Sequence, residues 1–304
     1  MYPPYLATVK ADWSVPLTLA SVLFGIWAAA LLFGIITVQT YFYYKRFMRD
    51  PWYTRWLVGV LWILQGIEVG ISSRASYGNL VVLPQDGFIA LLKEPWYRSY
   101  CGTHGVVVAF AVQSFFLLRY WSVSRNLFVT IPLSLSVLLD FAFGVYCVWR
   151  SYRTPQSSIA ALESQGWAFT VWLALAAASD VILAISLAFE MRKRRTGHHR
   201  TDSVLNRLAL YGVATGAITA TVVIILLFLF VVADRVEIFL LFVIPLGAVY
   251  IVTLLSNLHL RISLRTALEA PSNVELRHRK HPTHRSADAP IAVLVLRTES
   301  TSHI

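Results

Sequence analysis

Charge is what this sequence has least of. Only 14% of its 304 residues are Asp, Glu, Lys or Arg, and 57% are hydrophobic. A soluble domain carries roughly 25% charged residues, so an ordinary water-soluble fold is excluded. Long loops between the apolar runs are missing too. The largest gap between apolar runs, Ala75 to Arg98, is too short for a second folded domain, so any site lies among the apolar runs or at their ends. Met1 to Pro16 lacks the basic segment of a signal peptide, and the apolar run that follows is longer than a signal core, so the N-terminus is read as uncleaved.

Chemical signatures are equally scarce. There is no GxxxxGK[ST], HExxH or GxSxG motif, the patterns that cradle phosphate, bind catalytic zinc or present a nucleophilic serine. No lysine lies inside an apolar run, which leaves a retinal Schiff base without a partner. His104 is the only histidine within a run apart from His259 at an end, so a multi-histidine metal site inside the membrane is not expected. The tail spacing His278, His281, His284 lacks the cysteine or carboxylate pattern of a metal site. The expectation is no enzyme, no cofactor and no metal. There is no Asn-x-Ser/Thr sequon and N-glycosylation is not expected. The chain has two cysteines, Cys101 and Cys147. They fall at the same ends of the third and fourth runs, and the sequence fits both a disulfide and a pair of buried thiols, because it does not give their Cα separation.

What the chain does have is seven long apolar intervals: Leu17 to Tyr44, Trp56 to Ser73, Ser99 to Leu118, Asn126 to Trp149, Ser164 to Phe189, Leu208 to Ala233 and Ile238 to Leu260. Each is long enough to cross a hydrocarbon core of roughly 30 Å at about 1.5 Å per residue. With no water in the bilayer to satisfy peptide groups, such runs close their hydrogen bonds as helices. The predicted class is therefore an all-α, polytopic membrane protein: residues 1–16 outside the membrane, a seven-helix domain over 17–265, and a cytoplasmic disordered basic tail over 266–304. Nineteen of the Lys and Arg residues fall on the side of the first inter-run loop and seven on the other. The positive-inside bias then predicts N-out, C-in and a multi-pass protein of the plasma membrane or secretory pathway. The net charge of +10 is expected to face anionic inner-leaflet lipid rather than nucleic acid. Leu260, Leu264 and Leu268 alternate with Arg261, Arg265 and Glu269, which predicts a short amphipathic helix on the inner leaflet after span seven.

Polar residues inside the runs are the candidate site. Glu68, Asp140 and Asp180 each interrupt a span, and a charge there is a functional hypothesis by default. Counted from the nearest boundary bases, they stand about 20, 22 and 18 Å into the membrane, one depth on three helices. Gln65 lies near the same layer. These four are the candidate ligand or ion residues. Gln39, Gln113, Asn257, Thr215 and Thr219 are expected to bond between helices or to their own preceding turn. Gly212, Gly216 and Ala220 recur at intervals of four, the spacing that lets helix backbones approach closely. Gly66 and Gly70 repeat it.

The segments ITVQTYFYYKRF (36–47), DPWYTRWLVGVLWILQ (50–65), VQSFFLLRYWSVSRN (112–126), SDVILAISLAFEMRKRRTG (179–197) and TDSVLNRLALYGVATGAITATVVII (201–225) together resemble a large group of seven-span membrane proteins of mushroom-forming (agaricomycete) fungi, a family defined as a domain of unknown function. The resemblance covers about residues 17–265 and falls on Gln39, Gln113, Arg119, Asp180, Arg207, Thr215, Gly216 and Thr219. In span seven only Tyr250, Leu255, Asn257 and Arg261 echo the family's pattern. Glu68 stands in a second span where the family carries a histidine. The resemblance implies fold and location and supplies no activity. The functional expectation is a receptor-like or sensory bundle, with the 191–207 loop as the surface for a cytosolic protein partner. The alternative is a small transporter or ion or proton carrier using the acidic layer.

Overall fold

The structure, a computed structural model, describes the backbone of residues 4–46, 50–77, 95–153, 166–193, 199–231 and 236–269. Side chains are described for residues 17, 20–46, 50–77, 100–153, 166–193, 210–231 and 238–260. The described residues form eight helices: α1 Pro4–Arg46, α2 Trp52–Tyr77, α3 Pro95–Ser124, α4 Leu127–Arg153, α5 Gly166–Lys193, α6 His199–Val231, α7 Val236–Val243 and α8 Leu246–Glu269. Seven segments are long and apolar enough to cross a membrane: Ala20–Arg46, Trp52–Tyr77, Tyr100–Ser124, Leu127–Arg153, Gly166–Lys193, Leu210–Val231 and Ile238–Leu260. The chain is thus an all-helical, multi-pass membrane protein. One end of the bundle carries Lys45, Arg46, Arg125, Arg192 and Lys193 and is called the basic end below.

The outer faces are apolar and the largely apolar core also holds polar side chains. Leu31 is 74% exposed and Phe128 92%, whereas Gln65 is 0%, Gln113 2% and Asn257 1% exposed. A hydrocarbon solvent favours that arrangement, because it rewards apolar outer faces and leaves polar groups to bond to one another inside.

Local chemistry sets the turns. Pro51 precedes α2, and its carbonyl accepts from the amides of Thr54 and Arg55. Antiparallel α1 and α2 are joined where Tyr44 donates to the Arg55 carbonyl at 2.7 Å and Trp62 Nε1 to Thr37 Oγ1 at 3.1 Å. Gly66 lets Phe33 lie against α2, since a Cβ there would come within 3.2 Å of Phe33 Cζ. Between α3 and α4 the chain turns in two residues. Asn126 Oδ1 accepts from the Phe128 amide at 3.1 Å and caps α4.

The seventh span is broken. Pro245 has no N–H to give Leu241, and its ring crowds the preceding turn, so α7 ends at Val243 and α8 begins at Leu246. α1 packs against α7, where a Cβ on Gly25 would lie 3.3 Å from the Leu240 carbonyl. The span that includes α8 is the most enclosed of the seven, with 56% of its apolar window buried. Leu254, Leu255 and Leu258 sit in the main hydrophobic cluster beside Ile36, Val112 and Leu226.

α1 begins at Pro4, inside the segment 1–16 that the sequence places outside the membrane, and its apolar span begins at Ala20. Proline is tolerated in a first helical turn, where its missing N–H would have no partner anyway. The amphipathic helix expected after span seven is the unbroken continuation of α8 to Glu269, because nothing between Asn257 and Glu269 interrupts it. Gly70 contributes no close packing, since a Cβ there meets nothing within 4 Å. The chain divides into two units, Met1–Leu268 and Glu269–Ile304. The tail beyond Glu269, its histidines, the centre of the 191–207 loop and the side chain of Arg207 lie outside the described residues.

Candidate functional site

Depth alone could not say whether the three acids face one another; helix rotation decides it. Asp140 on α4 and Asp180 on α5 do converge. Gln113 of α3 lies between them, and its Nε2 donates to Asp140 Oδ2 at 2.9 Å and to Asp180 Oδ1 at 3.2 Å. Tyr250 of α8 donates to the other oxygen of Asp180 at 2.7 Å. Four helices are tied together at one level by groups that hydrocarbon cannot solvate.

Glu68 keeps its own company on α2. Gln65 Nε2 donates to it at 2.8 Å and Ser72 Oγ at 3.0 Å. The i−3 and i+4 spacing places both donors on its own helical face. Glu68 and Asp140 nevertheless line one cavity of about 170 Å³. The cavity occupies the half of the bundle away from the basic end, between the first half of α3, the second half of α4, the first half of α5 and the broken seventh span. Its walls include His104, Phe169, Trp172, Phe239 and Tyr250. Glycines shape it. A Cβ on Gly144 would come within 3.0 Å of the Trp172 indole nitrogen, one on Gly247 within 2.9 Å of the His104 ring, and one on Gly105 would meet nothing. The Trp172 indole also lies near the Asp140 carboxyl.

Several buried polar atoms have no partner among the described residues: Asp140 Oδ1, His104 Nε2, Gln65 Oε1 and Gln113 Oε1. Buried polar atoms are normally satisfied, so those on the cavity wall mark where a guest or water would bond. No group of three or more His, Cys, Asp or Glu residues is close enough to hold a metal ion among the described residues.

Toward the basic end the polar interior continues. A smaller space of about 20 Å³, room for about one water, lies among Gln113, Asp180, Thr215, Thr219 and Tyr250. Beyond it Asn257 of α8 donates to Thr215 Oγ1 at 2.7 Å and accepts from Arg119 Nη1 at 2.6 Å. Thr215 and Thr219 both donate to carbonyls of their own preceding turns, and Gln39 Nε2 donates to Ser256 Oγ at 3.3 Å. Gln39, Gln113, Asn257 and Thr215 therefore connect helices. The hydroxyl of Thr219 bonds within its helix and lines the small space beside Asp180.

Of the small residues, Gly216 makes the closest approach: a Cβ there would run into Ala184 of α5. Ala220 is buried, and Gly212 has only ordinary contact with Leu187. Cys101 and Cys147 both line the larger cavity and are thiols, with no disulfide between them. Arg119, one of the nineteen bases on the side of the first inter-run loop, is a buried member of the α3–α6–α8 connection at 6% exposure. Trp172 and the role of His104 were not singled out by the sequence, and Tyr250 only through the family resemblance. The available signals were a lone histidine in a span and a tyrosine one turn after a proline break.

Fold and site together define a seven-helix, multi-pass membrane protein with a polar interior and an internal cavity. Residues 176–263 match a family of unknown function (DUF6534). That segment carries Asp180, Thr215, Gly216, Thr219, Tyr250 and Asn257; Glu68, His104, Gln113, Arg119 and Asp140 lie outside it. No curated protein and no solved structure matches the chain.

Proposed function

We propose that the chain is a receptor-like, sensory membrane protein without catalytic activity. It sits N-out and C-in, takes a small molecule into the cavity of its outer half, and passes the effect to its basic inner end. The observation that carries this reading is the one-sided placement of the cavity. Its lining reaches Cys101 and Ser151 at one end and Asp140 and Tyr250 at the other. Past that floor, the Asp140–Gln113–Asp180–Tyr250 and Thr215–Asn257–Arg119 connections and the cluster of Ile36, Val112, Leu254 and Leu258 occupy the way to the basic end. A binding site that ends blind suits sensing better than passage. The 191–207 loop would then meet a cytosolic protein and anionic lipid headgroups.

The break of the seventh span beside the cavity, at Leu246 and Gly247, favours a second reading, because transporters build substrate sites from discontinuous helices. Flux decides between them. The full chain in proteoliposomes, with an imposed pH or sodium gradient and an internal dye, is expected to carry no more proton or cation than empty vesicles. Flux that Asp140→Asn or Asp180→Asn abolishes while the protein stays folded would replace the sensory reading with transport.

A further inference from the structure

The cavity also has a chemistry that selects its guest, and the selection rests on reading the cavity as a ligand site. We propose that it binds a small organic amine, with the ammonium at Asp140 and an aromatic or aliphatic body against Trp172 and Phe169.

Volume excludes the simplest occupants. About 170 Å³ is far more than one water or a bare ion needs, and the described residues offer no cluster of metal-ligating side chains. The walls are mostly apolar and aromatic, so the body of the guest is apolar. The polar groups on the wall are few. Two of them are carboxyl groups, on Glu68 and Asp140, each buried to at least 97%. Glu68 already accepts from Gln65 and Ser72, and Asp140 Oδ2 from Gln113. Asp140 Oδ1 remains without a donor, and so does the Nε2 of His104, a residue 93% buried on the same wall. A carboxyl oxygen wanting a donor, a second carboxyl group on the same wall and, among the described residues, no lysine or arginine lining it call for a head that donates and is positive. A carboxylate or phosphate head would meet only like charge. The Trp172 and Phe169 rings add a face for the cation or the body of the guest.

The test uses the full chain in lipid nanodiscs and three probes with one body and different heads: 2-phenylethylamine, 2-phenylethanol and phenylacetate. Isothermal titration is expected to show saturable binding of the amine, at least about tenfold tighter than the alcohol, and none of the carboxylate, as a charge-assisted hydrogen bond implies. Asp140→Asn should remove that preference while leaving the alcohol's affinity in place. Gly105→Leu grows a side chain into open space on the wall, so it should fold normally and weaken amine and alcohol alike. Absence of saturable amine binding overturns the proposal, as does an alcohol that binds equally well, or an amine affinity unchanged in Asp140→Asn or in Gly105→Leu. The sensory reading fails separately: if the amine binds as expected and proteoliposomes then accumulate it, the site stands and sensing gives way to transport. If the alcohol binds better than the amine and there is no flux, sensing stands and the amine assignment falls.

Discussion

Arg125 holds a backbone φ of 54°, in the left-handed region that side chains with a Cβ enter at a cost of about 1 kcal/mol or more. It sits between α3 and α4, where its amide bonds the Trp121 carbonyl at 3.1 Å and its guanidinium lies 6.0 Å from the Trp121 ring centre. The next residue, Asn126, caps α4. These neighbours make opposite predictions. Arg125→Gly relieves the backbone and should leave stability unchanged or raise it by up to about 1 kcal/mol. Asn126→Ala removes a cap and should lower it by about 1 kcal/mol. Thermal unfolding midpoints of the two variants in one detergent check this; equal shifts would mean that the turn does not control α4. At the same scale, the sequence revealed which residues are unusual and not what they touch. Arg119 looked like any base ending a span, because a string of residues does not say which way an arginine at a helix end turns. It turns inward, to Asn257.

Between elements, the tightest joint is α5 against α6 at Gly216. Two glycines with the same sequence signature separate here. Gly216→Ala places a Cβ against Ala184 and must push the helices apart, which should cost about 1–3 kcal/mol. Gly70→Ala points into open space on an exposed face and should gain about 0.5–1 kcal/mol, as removal of a mid-helix glycine generally does. Unfolding of both variants by added SDS in mixed micelles measures the contrast, and similar costs at both positions would show that Gly216 is not a packing contact. Small-xxx-small spacing was legible at both sites, yet only one faces a neighbour, because spacing fixes a stripe on a helix and not the helix's rotation. The same limit applies to the acids. Their common depth followed from 1.5 Å per residue, whereas the meeting of Asp140 with Asp180 through Gln113, and the separate bonding of Glu68, depended on rotation. Pro245 stands in the seventh apolar run as a residue that breaks a helix. That it would open the wall of a cavity was not legible, since residues of all seven spans line that cavity.

Across the whole molecule, polar groups run from the cavity floor to the basic end, first through Gln113, Asp180 and Tyr250 and then through Thr215, Asn257 and Arg119. α8 supplies a member to both parts, so the most enclosed span is also the one through which a change at the cavity would reach the basic end. The second part carries a buried cationic side chain, and its energetics can be separated from simple packing. Asn257→Leu removes the acceptor 2.6 Å from Arg119 Nη1 and also the donor to Thr215, and should destabilise by about 2–4 kcal/mol, since hydrogen bonds to charged groups contribute about 1.5–3 and leave a desolvated partner when cut. Arg119→Met removes the charge together with its need for that acceptor. If the pair acts as a unit, the double variant should cost less than the sum of the two single variants by about 1–3 kcal/mol. A double-mutant cycle on SDS-induced unfolding reads that coupling directly. Strict additivity would mean that Arg119 and Asn257 contribute separately, and the connection from cavity to basic end would then stop at Tyr250.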